Sequence, residues 1–216
     1  MMPEMDGITM CRKIKEDMLT SHIPVILLTA KDSLPDKEAG YESGADSYLT
    51  KPFSANLLRS RIHNILEMRR KVASRLMSKT KDLISEKRHD DTENGVNAGE
   101  ITKELNGPDR EFMDKIMSIV TENLSLEELG VVFIAEKMCM SQSTLYRKIM
   151  AIAGVSTNEY IRSIRLARAV EMLRSGSYSI TEIAYSTGFG SHSSFGKAFK
   201  KEYGMSPTDY VKKNSI

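Results

Sequence analysis

Cysteine is scarce in this chain: its 216 residues hold two, Cys11 and Cys139. They form no C-x-x-C pair, and no His/Cys cluster has zinc-site spacing. Neither a disulfide framework nor a metal centre is indicated. No apolar run approaches the roughly 18 residues that cross a bilayer, and the N-terminus has no charged-then-apolar leader. These absences point to a reducing cytoplasm, with no membrane contact and no cofactor. A catalytic constellation is missing too. His192 sits in Ser-His-Ser-Ser, but no G-x-S-x-G elbow or ordered acid accompanies it. The stretch GFGS lacks the preceding strand that a phosphate loop needs. His22, His63 and His89 stand alone, so an enzyme is not expected.

Charge is present but unevenly spread. The net charge is +2. Residues 1–68 carry 8 basic and 10 acidic side chains, and residues 131–216 carry 12 and 6. A basic C-terminal half suits an anionic partner, double-stranded DNA above all. The basic run from Arg69 to Arg75 reads as the solvated end of a helix, with added non-specific DNA affinity or a dimer coil as the alternatives.

Along the chain, Ile8, Cys11 and Ile14 recur at helical spacing behind Asp6, a candidate N-cap. The run Ile23, Val25, Ile26, Leu27, Leu28 is apolar without alternation, as in a strand buried on both faces. LPDKEAGYESG reads as a short helix ending at Gly44, and ADSYLTKPF as a second strand. A long amphipathic helix over 54–77 follows, capped by Ser54, with Leu57, Ile62, Ile65 and Leu66 on one side. This is an α/β rhythm with too few strands for a sheet that stands alone. Residues 79–107 are polar and poor in large apolar residues, which predicts a flexible linker.

From Asp109 onward the pattern predicts seven helices and no strands. It also repeats. Ile134-Ala135 matches Ile183-Ala184, then after one extra residue Gly154 matches Gly204, Ser156 matches Ser206 and Tyr160 matches Tyr210. Each unit is a helix-turn-helix whose second helix presents a polar face to a major groove. With Leu145, Ile149, Phe195 and Phe199 buried, the exposed faces hold Ser143, Tyr146, Arg147, Ser193, Ser194 and Lys197. Arg147 suits guanine, and Lys148, Lys200 and Lys201 suit phosphate. The helix at 158–175 spans about 27 Å, which lets recognition helices at its two ends read successive grooves about 34 Å apart.

Residues 108–216 resemble the AraC-type DNA-binding domain, a seven-helix monomer with two helix-turn-helix units; GFGSHSSFGKAFKKEYGMSPTDYVKK carries the likeness. Cys139 replaces the usual Gly of the first turn, Thr157 replaces a Pro, and Gly196 lies inside the second recognition helix. Residues 1–68 resemble the second half of a response-regulator receiver domain, through MMPEMDG, IPVILLTAK and GADSYLTKPF. That resemblance makes Thr29 the hydroxyl that senses a phosphoryl group, Lys51 the ammonium that bonds it and Tyr48 the switching aromatic, with a cis Lys51-Pro52 bond. It places the phosphate-accepting Asp two positions before Met1 and the Mg²⁺-binding acids earlier still. The implied fold is an all-α DNA-binding domain preceded by the C-terminal half of an α/β receiver. The implied divisions are 1–68, a connecting 69–107, and 108–216. The implied function is the output part of a hybrid two-component phosphorelay regulator. An alternative is an interaction module, a homodimer formed through the receiver segment and the helix at 54–77.

Overall fold

The computed structural model describes residues 5–30, 40, 42–82, 102, 105–126 and 128–214. Asp6 caps α1 (Gly7–Glu16), its carboxylate accepting from the Ile8 and Thr9 amides at 2.9 Å. Cys11 is buried on this helix, with Ile8 and Ile14 half-buried beside it. Two strands, β1 (Ile26–Thr29) and β2 (Ser47–Thr50), pair in parallel with Thr29 opposite Thr50. Asp46, just ahead of β2, ties this layer together. It accepts from Lys15 at 2.5 Å, the Val25 amide at 2.9 Å and Arg69 at 3.3 Å. The helix expected over 34–44 lies mostly outside the described residues.

The Ser54 hydroxyl accepts from the Leu57 amide at 3.1 Å and starts α2 (Ala55–Asp82). This is one helix through the boundary drawn at residue 68. Its covered face differs from the expected one. Leu57, Ile62 and Leu66 are more than 40% exposed, whereas Ala73, Leu76 and Thr80 are buried. The reason is helical spacing: 73, 76 and 80 share a stripe, and the last turns of α2 lie against the C-terminal domain. Leu76 enters the same core as Phe112, Ile149 and Tyr160. Most of the expected linker, 83–101, lies outside the described residues.

Among the described residues, seven helices follow: α3 (Gly107–Glu122), α4 (Val131–Lys137), α5 (Gln142–Ala153), α6 (Thr157–Ser175), α7 (Ile180–Ser186), α8 (His192–Tyr203) and α9 (Pro207–Asn214). They build two cores that share α6. Tyr160, Ile161 and Ile164 serve the first, with Phe112, Ile116, Ile134, Leu145 and Ile149. Leu166, Ala169, Val170 and Leu173 serve the second, with Ile183, Phe195 and Phe199. Edge-to-face aromatics tighten the second core: Phe195 and Phe199 lie 5.6 Å apart, and Phe199 and Tyr210 5.5 Å. Edge-to-face aromatic pairs add about 0.5–1.5 kcal/mol each beyond their burial.

Candidate nucleic-acid interface

The sequence repeat is also a repeat of hydrogen bonds. In the first turn the Cys139 amide donates to the Glu136 carbonyl and the Met140 amide to the Ala135 carbonyl, both at 3.0 Å. In the second, the Gly188 amide donates to Tyr185 and the Phe189 amide to Ala184, both at 2.9 Å. The residue that reverses the chain is left-handed in both, Cys139 at φ 52° and Gly188 at φ 75°. The next helix is capped the same way. Ser141 accepts from the Thr144 amide and Ser191 from the Ser194 amide, both at 3.1 Å. Gly154 and Gly204 close those helices at φ 71° and 73°. Each turn therefore aims a helix, α5 or α8, by the same local device.

On α5, Ser143, Tyr146 and Arg147 are exposed, and on α8 so are Ser193, Ser194, Lys197, Lys200 and Lys201. The Arg147 guanidinium donates back to the Ser143 carbonyl at 3.3 Å, which lays it along the helix surface. Among the described residues no group of three or more His, Cys, Asp or Glu side chains is placed to hold a metal.

Lys148 is the exception, and the phosphate contact expected of it is corrected. Its side chain is 0% exposed. The ammonium lies 2.9 Å from Asp109 Oδ1, 2.9 Å from Ser21 Oγ and 4.6 Å over the Phe112 ring, and it also donates to the Met18 carbonyl. Burial draws it below the ordinary lysine value, with Asp109 acting in the opposite direction. The physical cause is again spacing. Leu145, Lys148, Ile149 and Ile152 form one i, i+3, i+4, i+7 stripe on the buried side of α5.

The sequence reading also passed over two residues of α6. Arg162 and Arg165 line a cleft with Asn158 and, across it, Ser194, Lys197 and Lys201 of α8. The signal was available, since 158, 162 and 165 fall on one helical stripe. The α6 helix, 19 residues from Thr157 to Ser175, spans about 28 Å at 1.5 Å per residue. Thr157 occupies its first position, buried, with a hydroxyl that has no partner among the described residues. Pro207 holds the matching position in the second unit.

In the N-terminal segment, Thr29 ends β1, Tyr48 is buried on β2, and the exposed Lys51 follows β2. The Lys51 amide donates to the Thr29 carbonyl at 2.6 Å, so these two meet at the C-terminal end of the paired strands, while Tyr48 lies further back on β2, opposite Leu27. The Lys51-Pro52 bond is cis.

Two domain families match this arrangement. Residues 134–213 match the helix-turn-helix domain and residues 1–63 the response regulator receiver domain. The chain therefore carries a receiver domain and an AraC-type helix-turn-helix domain, the modules of DNA-binding transcription regulation in two-component systems. Both are regulatory rather than enzymatic. Among particular relatives, the chain is 38% identical over 214 residues to histidine kinase P4 of Formosa agariphila, covering 99% of this chain and 14% of that protein. It is 53% identical over 66 residues to the transcriptional regulatory protein YclJ of Bacillus subtilis, covering 31% of this chain and 28% of that one. It is also similar to the C-terminal domain of AraT, a response regulator from Geobacillus stearothermophilus. That likeness has 30% identity and a TM-score of 0.44, and covers 46% of this chain and 82% of the other. No helix among the described residues is long and apolar enough to cross a membrane.

Proposed function

We propose that the chain is the output part of a two-component phosphorelay, a sequence-specific DNA-binding transcription regulator. The observation that supports this reading is the doubled turn-and-cap device, which starts α5 and α8 in the same way and leaves a polar, cationic face exposed on each. Residues 108–216 form the DNA-reading unit, 1–68 the receiver portion and 69–107 the connection. Arg147, Ser143 and Tyr146 read one groove, and Ser193, Ser194 and Lys197 the next; Lys200 and Lys201 take phosphates. Thr29, Tyr48 and Lys51 form the receiver switch, and on this reading the phosphoryl-bearing aspartate lies outside the 216 residues. The test is Arg147→Ala on a duplex selected from random sequence. The expected loss is about 1–3 kcal/mol with relaxed preference at one base pair. Unchanged affinity and unchanged preference would reject base reading by α5.

A second reading is favoured by the exposed apolar side chains Leu28, Leu57, Ile62, Leu66 and Met68. In it the receiver portion and the helix at 54–77 pair with a second copy. Sedimentation at micromolar concentration decides: a monomer throughout the range removes this reading.

A further inference from the structure

The cleft between α6 and α8 has a volume of about 560 Å³. Four of its lining residues are cationic, Arg162, Arg165, Lys197 and Lys201, and among the described residues no carboxylate lines it. None of the four makes an ion pair with a described carboxylate. The neighbouring acid, Glu159, does not line the cleft; it accepts from the Ser156 amide at 3.0 Å and the Ser156 hydroxyl at 2.7 Å, and its charge also interacts with Lys201 and Arg162. Arg165 is half-buried, its Nη2 held by the Leu126 carbonyl at 2.9 Å, while its Nε is buried with no partner among the described residues. Four cations that outnumber the one nearby carboxylate, beside an orphaned guanidinium nitrogen, call for an anion.

The cleft is walled on one side by the polar face of α8, because Ser194 and Lys197 belong to both. A duplex groove filled by α8 therefore carries a backbone strand across the cleft mouth. We propose that this cleft seats a backbone phosphate of the duplex, lying between the two grooves that α5 and α8 occupy, with Arg162 as its principal contact. Arg162 is exposed and makes no hydrogen bond or ion pair at contact distance to a described residue, so its planar fork is available to two phosphate oxygens. Arg165 forms the inner wall and contributes fixed positive charge. This seat rests on the DNA-binding reading and adds to it a sequence-independent clamp on α6.

The experiment is equilibrium binding of the full chain to a selected duplex and to a random one, across a salt series. Arg162→Gln is expected to weaken both by the same factor, roughly fivefold near 0.15 M salt, and to flatten the salt slope by about one. Base preference stays as it was. A duplex with a neutral methylphosphonate at the seated position is expected to bind the native chain and Arg162→Gln alike. If Arg162→Gln keeps the native slope while Arg147→Ala still relaxes base preference, the DNA reading stands and the seat is overturned. If the native chain binds no duplex, both fall together. If inorganic phosphate binds through Arg162 while the DNA slope is unaltered, the cleft holds a free anion and the duplex assignment is wrong.

Discussion

Gly188 and Cys139 occupy the same place in the two turns, yet they tolerate opposite substitutions. A Cβ on Gly188 would lie 2.1 Å from the Leu124 carbonyl oxygen and 2.6 Å from an Arg165 nitrogen, at φ 75°. One of those contacts is backbone and cannot swing aside. Gly188→Ala therefore incurs both left-handed strain and overpacking, a loss of roughly 3 kcal/mol or more. It also displaces Arg165 from the cleft. Cys139 stands at φ 52° with its side chain exposed, so its Cβ is strained locally but clashes with nothing bulky. Cys139→Gly relieves about 1–2 kcal/mol of left-handed strain against about 0.5–1 kcal/mol of added chain entropy. The expected net is a small gain, up to about 1 kcal/mol by the same principles. Urea midpoints at unchanged m-value check both. Equal effects at the two positions would mean that the turns are not aimed by the same device.

At the scale of the element, α8 carries Gly196 in its interior, and a Cβ there meets nothing within 4 Å. Gly196→Ala is expected to stabilise by about 1 kcal/mol, the ordinary helix-interior difference, and to leave the salt slope of DNA binding unaltered. Destabilisation on chemical unfolding would show that α8 needs the glycine for some contact absent from the present packing. Helices of this kind were legible in the sequence because their inner faces follow a single period: Phe195 with Phe199, and Leu145 with Ile149, are all fully buried. The same period applied to α5 would have placed Lys148 inside, and applied to α6 would have aligned Arg162 with Arg165. What periodicity does not carry is the partner. Ser21, which bonds Lys148, lies 127 positions away, and no local pattern announces that pairing. The docking of α2 was hidden for a like reason. The large apolar residues of its first turns dominate its sequence pattern, while the face that is covered rests on the smaller Ala73 and Thr80 with Leu76.

For the whole molecule, these long-range contacts seat the N-terminal segment on the helix-turn-helix domain. Ser21 donates to Asp109 at 2.6 Å and accepts from Lys148, so α1's following loop, α3 and α5 meet in one buried polar cluster. Removing one charge of a buried pair leaves the other uncompensated, and Lys148→Ala is expected to cost about 3–5 kcal/mol. His22 adjoins this cluster and lines a cleft of about 690 Å³ with Leu66, Ala73, Met77 and Met150. Its Nδ1 is buried with no partner among the described residues. Burial first, and then the Lys148 charge, hold the imidazole below its ordinary value of 6.5, with Asp109 opposing. The folded chain therefore keeps His22 neutral at a pH where the unfolded chain has already taken up its proton. In that window the unfolded state binds more protons, so stability falls as pH falls below 6.5; well above it, both states are neutral and His22 contributes no slope. Urea unfolding from about pH 7.5 to about pH 5 should show a decline that is smaller in His22→Gln than in the native chain. Parallel declines in the two proteins would assign the acid sensitivity to other groups and leave His22 a bystander at the seam.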